Sequence, residues 1–183
     1  MPAKSQSKIS KLFRQIAFFA LFAALGGAVG ALIGRTVKQS PVKPDDWIVL
    51  LLPVIIFAVI AWHELGHAVG GWLSGFQLHL FAVGPLRIDR QNNFLRWTFN
   101  RDLRLWGAIA ATIPPPNALP APPALRRSML RMTASGPLFS LLGALLLIPP
   151  AWWLRSDSPN TAALLAMAGF FSLAIALATS IPS

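Results

Sequence analysis

From Trp47 to Trp62 the chain runs sixteen residues without a charge, and every one except Pro53 is Ala, Val, Ile, Leu, Phe or Trp. With its flanks, such a run reaches the roughly 20 residues a helix needs to cross a hydrocarbon core about 30 Å thick. The constraint on fold is severe, because lipid offers backbone amides and carbonyls no partner and a spanning segment must satisfy its own. Three further uncharged windows, 16–34, 132–154 and 158–183, repeat the signal. Only 12% of residues are charged, against about 25% in an ordinary soluble domain. The expected fold class is membrane α-helical: one polytopic domain with about four transmembrane helices, near residues 16–34, 47–70, 132–154 and 161–180.

Into the second of these apolar stretches the sequence places His63-Glu64-Leu65-Gly66-His67, although the whole chain holds three histidines and a single glutamate. On a helix, residues four apart share a face with Cβ atoms about 5–6 Å apart. His63 and His67 are therefore candidate ligands of one zinc ion, and Glu64 is the candidate general base acting on water. A purely structural polar cluster, hydrogen-bonding between helices, is the bland alternative. An ionisable side chain near mid-bilayer costs roughly 2.5–3.5 kcal/mol and is functional by default. His63 lies sixteen steps beyond Trp47, or about 24 Å at 1.5 Å per residue, which sets the motif toward one face of the membrane.

Which face follows from charge. Lys4, Lys8, Lys11 and Arg14 precede the first span, and Arg87, Arg90, Arg96, Arg101, Arg104, Arg126, Arg127 and Arg131 lie between or at the edges of the second and third. That is twelve of sixteen basic residues, so the positive-inside rule puts the amino terminus and the central loop in the cytoplasm. The expected location is a bacterial-type inner (plasma) membrane. The net charge of +10 then reflects topology and anionic headgroups of the lipid bilayer, with no nucleic-acid module to claim it. Absence of cysteine rules out thiolate ligands and leaves nitrogen and oxygen donors for any metal. The first window has a basic start like a signal peptide, but its nineteen uncharged residues exceed the usual core of 7–15 and favour a retained helix.

Glycines mark two places. Gly26, Gly30 and Gly34 recur every four residues and either form a packing stripe or reflect tolerance of glycine in membrane helices. Gly66, Gly70, Gly71 and Gly75 surround His67 and either admit a close neighbour or end the helix. From 76 to 100 the period changes: Phe76–Val83, Leu86–Arg90 and Phe94–Phe99 alternate between apolar and polar residues around Gly84-Pro85 and Gln91-Asn92-Asn93. This predicts short strands joined by turns, one face apolar and one wet. His79 falls here, and a lone histidine on a half-buried strand is more often a surface residue than a ligand. Residues 113–123, with Pro114-Pro115-Pro116, are expected to be an extended Pro/Ala-rich connection. Ser135-Gly136-Pro137-Leu138-Phe139 then enters the third helix, whose Pro149-Pro150 and Trp152-Trp153 mark the outer interface.

A catalytic zinc usually keeps three protein ligands and one open position. A third histidine six residues after His67 is not there, since that residue is Leu73, and no second glutamate exists. Aspartate remains. Asp45, Asp46 and Asp157 are expected at the opposite membrane face, which leaves Asp89 and Asp102 on the correct side.

His63, Glu64 and His67 on a membrane helix, the strand-forming segment after Gly75, and Gly136-Pro137-Leu138-Phe139 at the entry to the next core helix together resemble the site-2 protease family of intramembrane zinc metalloproteases. The resemblance covers most of the chain. It implies zinc-dependent hydrolysis of a peptide bond in or beside the transmembrane helix of a membrane-protein substrate. It also implies a third-ligand aspartate in an Asp-Gly pair shortly after a proline. Ile181-Pro182 looks like the start of that region, so the aspartate is expected beyond Ser183, and residues 1–183 alone are expected to be incomplete or inactive in proteolysis. Two other function classes fit the composition: a metal or proton carrier, for which the expected internal repeat is missing, and an inactive membrane scaffold that packs partner helices on its glycine faces.

Overall fold

In the computed structural model the described residues are 45–92, 94–102, 107–114 and 121–180, together with the isolated Gly27 and Ala31. The expected first span, 16–34, lies outside them apart from those two positions. Among the described residues, three helices are long and apolar enough to cross a membrane: α1 (Leu52–Leu73), α2 (Pro122–Trp153) and α3 (Pro159–Thr179). A four-stranded antiparallel sheet separates α1 from α2, built from β1 (Gln77–Val83), β2 (Leu86–Gln91), β3 (Phe94–Phe99) and β4 (Ile109–Ile113).

The second span begins as a 3-10 turn, Asp46–Leu51, and becomes α-helical at Leu52. Pro53 sits in the first turn of α1, where its missing amide leaves no intrahelical bond unmade. The far end is closed by Gly75, whose φ of +79° suits glycine. Its amide donates to the Trp72 carbonyl at 2.9 Å and the Phe76 amide to the Gly71 carbonyl at 2.9 Å, the paired bonds of a Schellman cap. Phe76 is buried beneath it. Of the four glycines around His67, Gly75 therefore ends the helix, and Gly66, Gly70 and Gly71 each meet a close neighbour.

The helix that carries the third apolar window begins at Pro122, ten residues ahead of 132, because Pro122 and Pro123 occupy helix-starting positions. Its first turns carry Arg126, Arg127 and Arg131 outside the apolar window. The connection expected over 113–123 accordingly gives up Ile113 to β4 and Pro122-Pro123 to α2, while 115–120 lie outside the described residues. β4 is an addition to the expected strands: Ile109-Ala110-Ala111-Thr112-Ile113 shows no polar alternation, although Pro114 follows it directly.

The helices run alternately up and down. At one end the Asp45 amide donates to Asn160 Oδ1 at 2.9 Å and Asn160 Nδ2 donates to Asp45 Oδ2 at 2.8 Å, pinning the start of α1 to the start of α3. Exposed Trp47, Trp152 and Trp153 gather at that end and exposed Trp72 at the other, as aromatic belts would. The helix interfaces are lined by small residues: Gly66 and Gly70 meet Ser135, and Gly143 meets Trp62 and Ser172. Leu138, Leu145, Leu146 and Val54 point outward, which suits hydrocarbon.

Strand order in the sheet is β3-β2-β1-β4. Register places Phe81, Ile88 and Trp97 in one row and Val83, Leu86 and Phe99 in the next, all on one face. Leu80, Asp89 and Arg96, with Ala82, Arg87 and Thr98, share the other face. One face is apolar and the other polar, as alternation predicts, but the polar face is not uniformly wet: Ala82 on it is buried, whereas Trp97 and Phe99 on the apolar face are exposed. The sheet lies alongside α1: Thr112 packs on Gly71 and the β1–β2 turn at Gly84 packs on Phe57. His79 is exposed at a β-bulge between Leu78 and Leu80.

Candidate metal centre

His63, Glu64 and His67 occupy the middle of α1, and the face that carries both histidines is pressed against α2. His63 is 6% exposed. The close approach depends on small residues: a Cβ on Gly66 would collide with Ser135 and Phe139, and one on Gly70 with Ser135. Trp62 adds a hydrogen bond from Nε1 to the Phe139 carbonyl at 2.6 Å and a tilted ring contact with Phe139 at 5.2 Å.

Each imidazole is held at Nδ1 by α2. His67 Nδ1 lies 2.8 Å from the Met132 carbonyl, and a carbonyl only accepts, so this nitrogen carries the proton. His63 Nδ1 lies 2.9 Å from Ser140 Oγ, with the Gly136 carbonyl also within reach of the ring. Both Nε2 atoms are thereby turned inward, 3.2 Å apart, with the rings nearly perpendicular at 88°. At that distance the pair either shares one Nε2–H···Nε2 hydrogen bond or, with both lone pairs free, holds a cation between them. Nitrogens bound at about 2.0–2.1 Å to one tetrahedral zinc ion stand about 3.3 Å apart, and the observed pair fits that edge.

Gly136, from the Gly-Pro element noted in the sequence, packs directly on the His67 ring, and any Cβ there would overlap the imidazole. Glu64 is half-buried at the junction of α1 and β4, where the Ala110 backbone amide reaches its carboxylate. A carboxylate beside the histidine pair and against a sheet edge is placed to take a proton from water and pass it on.

Among the described residues, no group of three His, Cys, Asp or Glu side chains gathers around one point. His63 and His67 are brought together as expected, and Glu64 follows on the adjoining face. Asp89 lies mostly buried on the polar face of the sheet, with Arg87 at 3.8 Å and Gln91 at 2.9 Å. Asp102 lies beside Asn100 at the end of β3. Asp45 belongs to the Asn160 pairing at the far membrane end. Sequence reasoning missed Ser140, the Met132 carbonyl and the Ala110 amide. Only the first left a signal, a serine four residues after Gly136 on a helix face that is otherwise apolar.

Comparisons with family models, with curated proteins and with solved structures found no match.

Proposed function

We propose that this chain is the zinc-binding core of an intramembrane metalloprotease. The observation that carries the reading is the 3.2 Å approach of the His63 and His67 Nε2 atoms, each ring held from behind by α2, with the chain's single glutamate next in sequence. His63 and His67 would hold the ion and Glu64 would move protons. Zinc bound there would supply Lewis acidity and a water activated near neutral pH.

The rest of the work falls to the chain's own residues. Glu64 takes a proton from water and returns it to the leaving amine. Ala110, by its amide, orients that carboxylate. A substrate helix must open locally before its backbone is accessible, because its amides and carbonyls are otherwise paired internally. β4 suits the opened segment. It closes one edge of the sheet beside Glu64, so an extended peptide can add to it as a further strand. β1, the strand that follows Gly75, cannot take that role because β2 and β4 flank it on both sides.

The test is cleavage of a membrane-anchored reporter by the full reading frame in proteoliposomes. Zinc-dependent cleavage that Glu64→Gln abolishes while leaving zinc bound is expected. Cleavage undiminished in Glu64→Gln would overturn the reading, and zinc uptake driven by a gradient without cleavage would mark a carrier instead.

A further inference from the structure

We infer that Ser140 is a positioning residue for the histidine pair, its hydroxyl holding the His63 ring by Nδ1 so that Nε2 stays directed at His67; the inference deepens the metal reading and rests on it. Ser140 is fully buried in the α1–α2 interface. A hydroxyl taken out of water is costly unless it finds a hydrogen-bond partner. The partner it has is His63 Nδ1 at 2.9 Å.

The two rings are held by different means. His67 is fixed by the backbone carbonyl of Met132, which no side-chain change removes. His63 is held by the Ser140 side chain together with the Gly136 carbonyl. A hydroxyl can accept from Nδ1–H, and in that arrangement Ser140 holds the tautomer that leaves the Nε2 lone pair free for a cation. Without it, the ring keeps only the Gly136 carbonyl, and the Nε2–H tautomer, whose proton points at His67, becomes more accessible. Partners of this kind behind a metal ligand are typically worth 10–100-fold in metal affinity.

The experiment compares wild type, Ser140→Ala and Ser172→Ala. Ser172 is a second deeply buried helical serine, 1% exposed, on α3, and controls for packing. Zinc affinity of the purified chain is measured by competition with a chromophoric chelator. The tautomer of His63 is read without metal from 15N-histidine NMR in proteoliposomes. Ser140→Ala is expected to weaken zinc binding about 10–100-fold and to move His63 toward the Nε2–H tautomer. Ser172→Ala should change neither readout. An unchanged His63 tautomer in Ser140→Ala, or equal losses of affinity in both variants, would overturn the inference. Failure of wild type to bind zinc would overturn the metal reading instead, and the NMR comparison still decides whether Ser140 sets the ring.

Discussion

Replacing Gly136 by alanine adds one methyl group, and the structure fixes where it goes. The new Cβ would lie inside contact distance of His67 Nε2, Cε1 and Cδ2. Carbon contacts relax to about 3.5–4.0 Å, so the imidazole must move by about 1 Å. Neither neighbour allows that freely: the ring is tied to Met132 at 2.8 Å, and Gly66, next to His67 in sequence, and Gly70, three residues on, lock α1 onto α2. Two effects on stability oppose each other. Overpacking costs typically 1–3 kcal/mol, while glycine to alanine inside a helix gains about 0.8–1.0 kcal/mol. The net loss is about 0–2 kcal/mol by those ranges, too little for a melting curve to decide the matter. Metal binding decides it, because a 1 Å shift of one ring destroys the 3.2 Å Nε2 pair. Gly136→Ala is therefore expected to fold, to melt within a few degrees of wild type in detergent, and to lose stoichiometric zinc by elemental analysis. Gly107→Ala, where a Cβ meets nothing within 4 Å, serves as the control. Full zinc occupancy in Gly136→Ala would refute the packing argument and the placement of the ion between the rings.

Cysteines placed at Asn92 and Ser156 are expected to react with an impermeant reagent from opposite sides of the membrane, Ser156 from outside, as the distribution of Lys and Arg requires; labelling of both from outside would overturn the topology. The Asn160 hydrogen bond, followed by that of Trp47, holds the Asp45 carboxyl below its ordinary value of 3.8. A depressed acid contributes stability that is complete above its unfolded pKa and is lost as pH falls through the folded one. Thermal stability assigned to this pairing should hold from neutral pH down to about 3.8 and decline below it, and Asn160→Ala should flatten that decline; an unaltered acid profile would show the pairing to be inert. Gly84 has φ of +53° and a Cβ there would meet the Phe57 ring, so Gly84→Ala should destabilise the sheet by about 1–3 kcal/mol, read as faster proteolysis within residues 76–100.

Much of the site was legible because its chemistry conflicts with its surroundings. Two histidines and the only glutamate stand out inside a hydrocarbon run, and their i, i+4 spacing already implies a shared face. The amphipathic strands were legible from their period of two. What lay hidden depends on tertiary contact. Ser140 and the Met132 carbonyl act only because Gly66, Gly70 and Gly136 let two helices approach, and a backbone carbonyl leaves no mark in a sequence. β4 was invisible because Ile109-Ala110-Ala111-Thr112-Ile113 has partners on one side and α1 behind it, and so needs no alternation. Hydropathy placed the start of α2 late, since an apolar window ends where arginine begins, whereas the helix itself starts at its prolines.

Zinc K-edge X-ray absorption on the purified chain tests most directly whether one ion sits between His63 and His67. The account predicts two imidazole nitrogens at about 2.0–2.1 Å in wild type and in Glu64→Gln, and loss of the ion in His63→Ala and in His67→Ala. Zinc retained at full occupancy in either histidine variant, or a wild-type spectrum without imidazole scattering, would contradict it.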